Sequence, residues 1–397
     1  MAENKRGFFN RGWAKYLLPG IVLQSVLIGG GYATGREIIE YGAKFGANGW
    51  ISGLFIFLAF GIIAVLTFEL ARIYKIYDYK SIVRTIAGPL WIVYDVIYFI
   101  LLFLIISVMA SATGEILQQT IGLNYWIGVI ALIIIAGLLN FYGSRVVEKF
   151  ETFGTIILYA AYIVFTVLVI AGRHTQIGQV FATHDTSYVP GAGVLTAAGW
   201  GILYASYNLS AIPAGLFTLR RQTTRKEAVI SGVIGAALMT IPWFFTYFAV
   251  MAFYPDPQVL GASVPWLTML GAVSGSPLLV IVFGVVVGWT LIETATGMIH
   301  ALLERIDKGL ADAGKPYMSG FSRGGVTVII FLLATIFAKF GIIDLIGMGY
   351  QLMSYGFILV YLIPLVTVGL YKVVKYGSVT GGQAPAQTDP AAGKALR

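Results

Sequence analysis

Three oxygen-bearing side chains lie within one helical turn of each other in an otherwise apolar stretch. Thr290, Glu293 and Thr294 follow Trp289. On a helix, positions three and four apart share one face, so the carboxylate and the two hydroxyls would lie side by side. Hard cations prefer oxygen ligands, and a carboxylate can also carry a proton. We therefore predict a coupling-ion site for Na⁺ or H⁺, with a narrow preference for Na⁺ because a proton needs neither hydroxyl. A packed neutral Glu with back-bonded Thr hydroxyls is the alternative.

Two further clusters place flexible or polar residues inside apolar runs. Three consecutive glycines permit an unwound turn near 29–34, and Pro213 follows a polar run near 206–211. A broken membrane helix exposes free N–H and C=O groups, which a bound solute can satisfy. Close helix packing is the alternative for the glycines. The candidate substrate-binding residues are Gly29, Gly30, Gly31, Tyr32, Ala33, Ser206, Tyr207, Asn208 and Ser210.

Charged residues follow the first of these interruptions. Arg36 is a candidate gate residue, and the alternative is an ion pair with Glu40 at i, i+4 that only stabilises the half-helix. Glu37 lies between them. His174, His184 and Asp185 fall in one polar stretch, but their spacing matches no metal-ligand pattern, so no metal site is predicted.

These clusters must be positioned by helices that cross a membrane. The chain is 58% hydrophobic and only 11% charged, whereas soluble domains carry about 25% charged residues. A membrane-spanning helix needs roughly 20 apolar residues. The sequence therefore predicts an all-α polytopic membrane protein with ten transmembrane helices, segments 1 to 10, at 14–44, 48–72, 88–116, 124–142, 149–172, 192–219, 228–254, 276–303, 324–341 and 343–373.

The basic residues predict the orientation. With the N-terminus in the cytoplasm, all but Arg36, Lys44, Arg173 and Lys339 of the 26 Lys and Arg residues lie on the cytoplasmic side. Cytoplasmic loops carry such an excess. The pattern predicts a multi-pass protein of the bacterial inner membrane with both termini cytoplasmic. It also accounts for the net charge of +8 without nucleic acid.

Ten segments divide into five plus five, and an odd number per half makes the halves inverted repeats. Segments 1 and 6 then correspond, and both contain one of the interruptions. A short apolar helix near 264–270 is expected as a lid in an outer loop. The predicted parts are a cytoplasmic N-terminus 1–13, a first five-helix repeat 14–172, an outer loop 173–191, a second repeat 192–373 and a disordered cytoplasmic tail 374–397.

The 5 + 5 count, the glycine-rich break and the polar break with proline resemble the amino acid–polyamine–organocation superfamily, which has the LeuT fold. The run Gly-Gly-Gly-Tyr-Ala-Thr-Gly-Arg-Glu-Ile at 29–38 further resembles the YkvI-like branch of bacterial membrane proteins. The architectural resemblance covers residues 14–373. It implies secondary transport of amino acids or related nitrogenous solutes, coupled to Na⁺ or H⁺.

The resemblance also implies residue roles. In that superfamily, amides of a Gly-x-Gly break hold a substrate carboxylate, and 29–31 match this pattern. Sodium-coupled members carry a small residue and two hydroxyls on helix 8, where this chain has Thr290, Glu293 and Thr294. A carboxylate thus replaces one hydroxyl, which leaves the coupling ion open. The Asp-Pro-Gly and Met-Pro-His type motifs of metal-transporting relatives are absent, so no transition metal is expected.

The sequence therefore predicts a secondary active transporter and not an enzyme. Its partners would be the lipid bilayer and a small solute, with no cofactor beyond the coupling ion. An amino acid or related zwitterion is the leading solute, and an organic cation or a nucleobase is the alternative. Neither a phosphate loop nor a Gly-x-Ser-x-Gly elbow is present. A channel, which would show no counterflow, and a membrane sensor, which would need an output partner, are the alternatives of other classes.

Overall fold

The computed structural model describes residues 12–142, 144–275 and 277–376. This part of the chain is mostly helical and contains no β-strand. Within it, eight helical stretches are long and apolar enough to cross a membrane, and the shorter apolar helices Ala14–Leu27 and Tyr125–Leu139 add to them. Hydrocarbon offers no partner for backbone N–H and C=O groups, so apolar segments satisfy them by forming helices. The all-helical prediction is confirmed.

The helices of the first half of the chain are α1 (Ala14–Leu27), α2 (Gly30–Thr34), α3 (Arg36–Tyr41), α4 (Gly49–Tyr74), α5 (Tyr79–Ala87), α6 (Trp91–Ile121), α7 (Tyr125–Tyr142) and α8 (Ser144–Ala182). Those of the second half are α9 (Val194–Tyr207), α10 (Ile212–Gly215), α11 (Arg225–Met251), α12 (Pro257–Leu260), α13 (Pro265–Ser274), α14 (Pro277–Asp312), α15 (Gly320–Ala338), α16 (Gly341–Asp344), α17 (Gln351–Phe357) and α18 (Leu370–Tyr376). Turns of π-helix connect α16 to α18 within segment 10.

Segment 1 is interrupted twice. α1 ends at Leu27, and Gly29 is extended, with φ −115° and ψ −172°, before α2 begins. Gly35 has φ +86° and separates α2 from α3 in the left-handed region that a residue with a Cβ rarely adopts. The position of the break differs from the prediction. Residues 30–34, expected to be unwound, form a short helix between two glycine interruptions, because Gly29 and Gly35 supply all the conformational freedom that the turns need.

The interruption of segment 6 is milder. α9 ends at Tyr207, and a 3₁₀ turn over Asn208–Ala211 leads into α10. Pro213 lies in the first turn of α10, where its missing N–H removes one helical donor. The change of helix type therefore falls within the predicted stretch 206–211.

Segments 1, 2, 6 and 7 form a central bundle. α1 packs against α11, and α4 packs against both α9 and α11. Glycines permit the closest approaches, since a Cβ on Gly20 would lie 2.8 Å from Cα of Gly235. A Cβ on Gly201 would lie 2.4 Å from the carbonyl oxygen of Ser52. Small residues at such interfaces let membrane helices pack at short range. Beside this bundle, α14 packs against both α6 and α8.

The connections contain more helix than the sequence predicted. The basic connection between segments 2 and 3 contains α5, which buries Ile82, Val83 and Ile86. The helix of segment 5 continues through a kink at Arg173 to Ala182, inside the stretch 173–191 predicted as an outer loop. The predicted tail from 377 onward lies outside the described residues, as does the N-terminus before residue 12.

The short helix predicted in the loop after segment 7 is α13. Its Trp266 is fully buried and donates a hydrogen bond of 3.0 Å from Nε1 to the Tyr162 hydroxyl. The same indole lies against the second interruption of segment 1, because a Cβ on Gly35 would come within 3.0 Å of it. α13 therefore covers one end of the broken segment.

Candidate solute cavity and ion pocket

A small cavity lies where the interruptions of segments 1 and 6 face α6, α14 and segment 10. Its volume, counted as the space open to the centre of a water molecule, is about 30 Å³. A single water needs about 10–15 Å³ by the same measure, so the cavity has room for only about two water molecules in this conformation. The polar or flexible residues on its wall are Gly29, Gly31, Glu37, Tyr207, Asn208, Ser210, Thr294 and Tyr350.

Some predicted solute residues lie elsewhere. Tyr32 and Ala33 are fully buried in the core, where the Tyr32 ring lies 6.3 Å from that of Tyr162. The Ser206 hydroxyl is also buried and donates to the Ile202 carbonyl at 2.7 Å. None of these three lines the cavity. Gly30 is the first residue of α2.

Segment 6 contributes its 3₁₀ turn to the cavity. Tyr207, Asn208 and Ser210 line it. The side-chain nitrogen of Asn208 donates to the Tyr204 carbonyl at 2.9 Å, which fixes the amide at the point where the α-helical pattern ends. The Tyr207 ring lies 4.8 Å, between centroids, from that of Tyr350 in segment 10. The turn thus aims one amide and one phenol towards the same small space.

Glu37 is the wall residue that the sequence analysis did not select. It is buried, and its Oε2 accepts a hydrogen bond of 2.6 Å from the Tyr207 hydroxyl. The carboxylate also lies against the first interruption, because a Cβ on Gly31 would come within 2.3 Å of Oε1. A signal was present in the sequence. Glu40 has Arg36 and Lys44 at i−4 and i+4, whereas Glu37 has no Lys or Arg at these spacings.

Other wall residues have no recognisable pattern in the sequence. Tyr350 belongs to a π-helical turn of segment 10, and Met109 and Met298 lie on α6 and α14. Each occupies an apolar helix in which many similar residues face lipid or core. Only the tertiary arrangement distinguishes them.

A second and smaller pocket contains the predicted ion ligands. Its volume is about 10 Å³, which suits one ion or water. α14 contributes Thr290, Glu293 and Thr294, and α1 and the residue that follows it contribute Ser25 and Ile28. The structure therefore brings all three predicted coupling residues together on one wall. Leu158 and Tyr159 of α8 close the other side.

The hydroxyls of the ion pocket differ in their partners. Thr290 donates to the Val286 carbonyl at 3.1 Å, as in the structural alternative weighed for it. The Tyr159 hydroxyl is buried and has no hydrogen-bond partner among the described residues, and it lies within electrostatic reach of Glu293. Thr294 packs directly against the first interruption, since a Cβ on Gly29 would lie 2.7 Å from its Oγ1. Thr294 also lines the solute cavity.

Arg36 lies away from the cavity and contacts the loop between α12 and α13. Its side chain is buried, and NH1 donates 2.6 Å to the Leu260 carbonyl and 3.3 Å to the Ala262 carbonyl. NH2 pairs with Glu40 at 3.0 Å. The ion pair of the alternative interpretation is therefore present, and the same guanidinium also contacts the loop between α12 and α13. The gate role of Arg36 stays a prediction.

A corresponding contact lies at the opposite end of segment 1. Lys15 pairs with Glu227 at 2.5 Å, and Gln222 donates to the Lys15 carbonyl at 3.1 Å. Glu227 completes a capping box with Thr224 at the start of α11. The beginning of α1 is thereby attached to the connection between segments 6 and 7. Among the described residues, no group of three or more His, Cys, Asp or Glu could hold a metal ion.

Comparison with known proteins relates this arrangement to solved folds. No protein-family model matches the chain. It is 23% identical over 351 residues to an uncharacterized membrane protein of Bacillus subtilis, YkvI, across 83% of this chain and 92% of that protein. A Na⁺-coupled sialic acid symporter superposes with a TM-score of 0.56 at 12% identity, over 93% of this chain and 81% of the symporter. This chain has the LeuT fold.

A second solved structure supports the assignment. Mhp1, a nucleobase-cation-symport-1 family transporter captured in a closed conformation with bromovinylhydantoin bound, gives a TM-score of 0.53 at 13% identity, over 90% of this chain and 79% of Mhp1. The resemblance to YkvI-like proteins and to the LeuT fold, first inferred from the glycine run and the paired breaks, is confirmed. At this level of identity the likeness establishes the fold, and the chemistry must come from this chain's own residues.

Proposed function

We propose that this protein is a secondary active transporter that carries a small polar nitrogenous solute across the bacterial inner membrane by cation-coupled alternating access. The observation that carries the proposal is that Thr294 lines both the solute cavity and the ion pocket. A cation on one side of Thr294 and a solute on the other would stabilise the same position of α14 against the first interruption. Ligands shift a conformational equilibrium only through contacts that differ between states, and this shared wall supplies such contacts.

The arrangement as two inverted five-helix repeats is part of the proposal, and the helix contacts support it. If segments 1–5 correspond to segments 6–10, each contact should have a counterpart. α1 packs on α11 as α9 packs on α4, and α7 packs on α14 as α15 packs on α6. The tight glycine contacts show the same correspondence between the two halves. Gly20 to Gly235 joins segments 1 and 7, and Gly201 to Ser52 joins segments 6 and 2.

The proposed orientation, with both termini cytoplasmic, is supported by which connections meet. The connections after segments 1, 5 and 7 lie together, because Gly46 contacts both the Asp185 carbonyl and the Tyr254 ring. On the other side, Lys372 near the end of segment 10 donates to the Thr85 carbonyl, between segments 2 and 3. Alternate connections therefore group at opposite ends, which supports ten spans, and the excess of basic residues supports a cytoplasmic location for the second end.

Alternating access requires one seal on each side of the cavity. Arg36 and the loop carbonyls would form the outer seal, and Lys15 with Glu227 would form the inner one. Both are made in this conformation, in agreement with a cavity that admits only about two water molecules. Since the two seals lie on opposite sides of the glycine interruptions, α1 and α3 can move independently, each opening one side.

The proposed coupling site is the pocket at Thr290, Glu293 and Thr294. Sodium is the preferred ion, because two hydroxyls and a carboxylate provide hard oxygen ligands in a pocket of one-ion size. A proton carried by Glu293 is the alternative. The solute is an amino acid or related zwitterion, or an organic amine, and its site is the cavity between the two interruptions.

The absence of cysteine allows a direct test of alternating access. Ser210→Cys creates a single thiol on the cavity wall of a chain that contains no other. We expect a membrane-impermeant maleimide to label it in right-side-out and in inside-out vesicles, with rates that change in opposite directions when Na⁺ replaces K⁺. A cysteine at lipid-facing Ile130, exposed on the far side of α7, is the control. Equal and salt-independent labelling from both sides would indicate a channel and refute the proposal.

A further inference from the structure

The carboxylate of Glu37 is held in a defined position at the wall of the solute cavity. The side chain is 6% exposed. Tyr207 donates to Oε2 at 2.6 Å, and the backbone N–H of Tyr32 interacts with the same carboxylate. Oε1 fills the space beside Gly31, where a Cβ would approach within 2.3 Å. Contacts from both broken segments therefore fix the carboxylate between them.

No basic side chain balances this group in the part of the chain that the structure describes. The ion pairs found there include none to Glu37, whereas Glu40, one turn later on the same helix, pairs with Arg36 at 3.0 Å and with Lys44 at 2.6 Å. A buried carboxylate is costly unless a cation or several hydrogen bonds compensate it. The uncompensated group faces a cavity, so a cation that enters the cavity would complete the site.

The cavity wall around Glu37 suits an organic cation. Tyr207 and Tyr350 present aromatic rings, and Met109 and Met298 present polarizable thioethers. Aromatic rings attract ammonium groups, most strongly where water is excluded. Ser210 and Asn208 add oxygen atoms that can accept further N–H bonds. An ammonium with a short apolar body would find a counter-ion, acceptors and apolar contacts here.

A solute carboxylate, in contrast to an ammonium group, would be disfavoured beside Glu37. The superfamily resemblance implies that amides at the first interruption hold a substrate carboxylate. Here the side chain of Glu37 already occupies the space beside Gly31 and interacts with the Tyr32 amide. Placing a second carboxylate there would bring like charges together in a site with little water, and such juxtaposition is strongly disfavoured. The space beside Gly31, where a solute carboxylate would have to lie, is therefore already occupied from within the chain.

We propose that the transported solute is an organic amine, bound as its ammonium ion by Glu37, and that an α-carboxylate is selected against. This inference rests on the proposed transport function and narrows its solute class. Tyr207 orients the carboxylate, and Glu37 is the residue that determines specificity. A proton or Na⁺ held by Glu37 instead of the solute is the competing occupant, and the experiment separates these cases.

The test uses matched solutes and the full-length protein reconstituted in lipid nanodiscs. The probes are three amino acids, each with its decarboxylated amine and its deaminated acid: leucine, isopentylamine and 4-methylpentanoate; phenylalanine, phenethylamine and 3-phenylpropionate; alanine, ethylamine and propionate. Binding is measured by isothermal calorimetry in Na⁺ and in K⁺. We expect at least one amine to bind about tenfold or more tightly than its amino acid, and none of the acids to bind.

Variants then assign the selectivity to Glu37. Glu37→Gln preserves the shape and should weaken amine binding about tenfold or more, because a neutral amide loses the charge-assisted bond. Glu37→Asp should recover part of the affinity. Glu115→Gln is the matched control, since it removes the same charge from a group that pairs with Gln119 outside the cavity, and it should bind like wild type. Thermal unfolding of each variant establishes that it is folded.

Four results would overturn the inference. In the first, an amino acid binds more tightly than its amine. In the second, amine affinity is the same in Glu37→Gln and Glu115→Gln. In the third, Glu37→Gln exchanges solute normally but loses only uphill uptake, which would make Glu37 a proton carrier. Binding by none of the nine probes would also count against an amine of this size. The labelling experiment at Ser210 needs no solute, so opposite labelling changes there would preserve the transport function even if the amine class failed.

Discussion

Replacing Arg36 with alanine should open the outer side of the cavity. The guanidinium makes two contacts that depend on closure, the bonds of 2.6 and 3.3 Å to the carbonyls of Leu260 and Ala262. Its ion pair with Glu40 lies within one helix, so its formation does not require closure. A hydrogen bond to a charged group contributes about 1.5–3 kcal/mol. Because the second bond is long, we assign about 2–3 kcal/mol to the pair, which corresponds to a roughly 30- to 150-fold shift towards the open state.

The assay is the rate at which an impermeant maleimide labels Ser210→Cys from the outer side. Combined with Arg36→Ala, this rate should rise at least about tenfold if the open state is initially rare. Arg36→Lys should fall between, because an ammonium keeps the charge near Glu40 but cannot bind two carbonyls in a fork. Lys44→Ala is the matched control, since it removes the other cation of Glu40, which contacts the Trp200 ring and not the loop.

The labelling rates of these variants can refute the proposed role of the loop contacts. If Arg36→Ala labels at the same rate as Lys44→Ala, the loop contacts do not hold the outer side closed. If both variants label faster by the same factor, loss of charge around Glu40 is responsible and the hydrogen bonds to the loop are not. A change in labelling from the inner side alone would assign Arg36 to another step.

Three further predictions concern the ion pocket, the cavity and the bundle. If Glu293 ligates Na⁺, Glu293→Gln should abolish sodium-stimulated binding and exchange. If Glu293 carries the proton, the variant should keep exchange but lose uphill uptake. Concentrative uptake equal to that of wild type would show that Glu293 is a packing residue. Asn208→Ala should weaken solute binding about tenfold or less while leaving the protein folded and inserted, and unchanged affinity and uptake would remove Asn208 from the site. Gly20→Ala should lower the free energy of unfolding by about 1–3 kcal/mol, because its Cβ would lie 2.8 Å from Gly235, whereas Gly235→Ala, with 3.4 Å to Gly20, should cost less in the same thermal unfolding assay.

Residues that act through local spacing could be predicted from the sequence. Arg36 and Glu40 pair because positions four apart meet on any helix. The spacing of Thr290, Glu293 and Thr294 likewise placed them on one wall before any partner helix was known. The interruption near Gly29 was predictable because glycine adopts non-helical backbone conformations more readily than the other residues of segment 1.

Contacts between distant segments could not be predicted in the same way. Tyr32 and Ala33 were selected because they adjoin the glycines, yet α2 buries both side chains in the core. Gly31 of α2 and Glu37 of α3 line the cavity. That outcome depends on the helical turn of α2, which a run of three glycines argued against. Tyr350 became a wall residue through a π-helical turn for which the sequence carries no clear signal.

Under the proposed function, the two carboxylates near the first interruption would have separable tasks, because they belong to different helices. Glu293 belongs to α14, beside the end of α1, whereas Glu37 belongs to α3, beyond both interruptions of segment 1. A cation at Glu293 would therefore hold α1 against α14. This contact would stabilise the proposed inner seal, where Lys15 pairs with Glu227. An ammonium at Glu37 would hold α3 against Tyr207 of segment 6. This contact would stabilise the proposed outer seal, where Arg36 contacts the loop. Two positive ligands in pockets that share Thr294 would repel each other unless each faced its own carboxylate. Each pocket thus contains one carboxylate, as simultaneous binding of an inorganic cation and an organic one would require, and Thr294, which lines both pockets, would couple the two ligands.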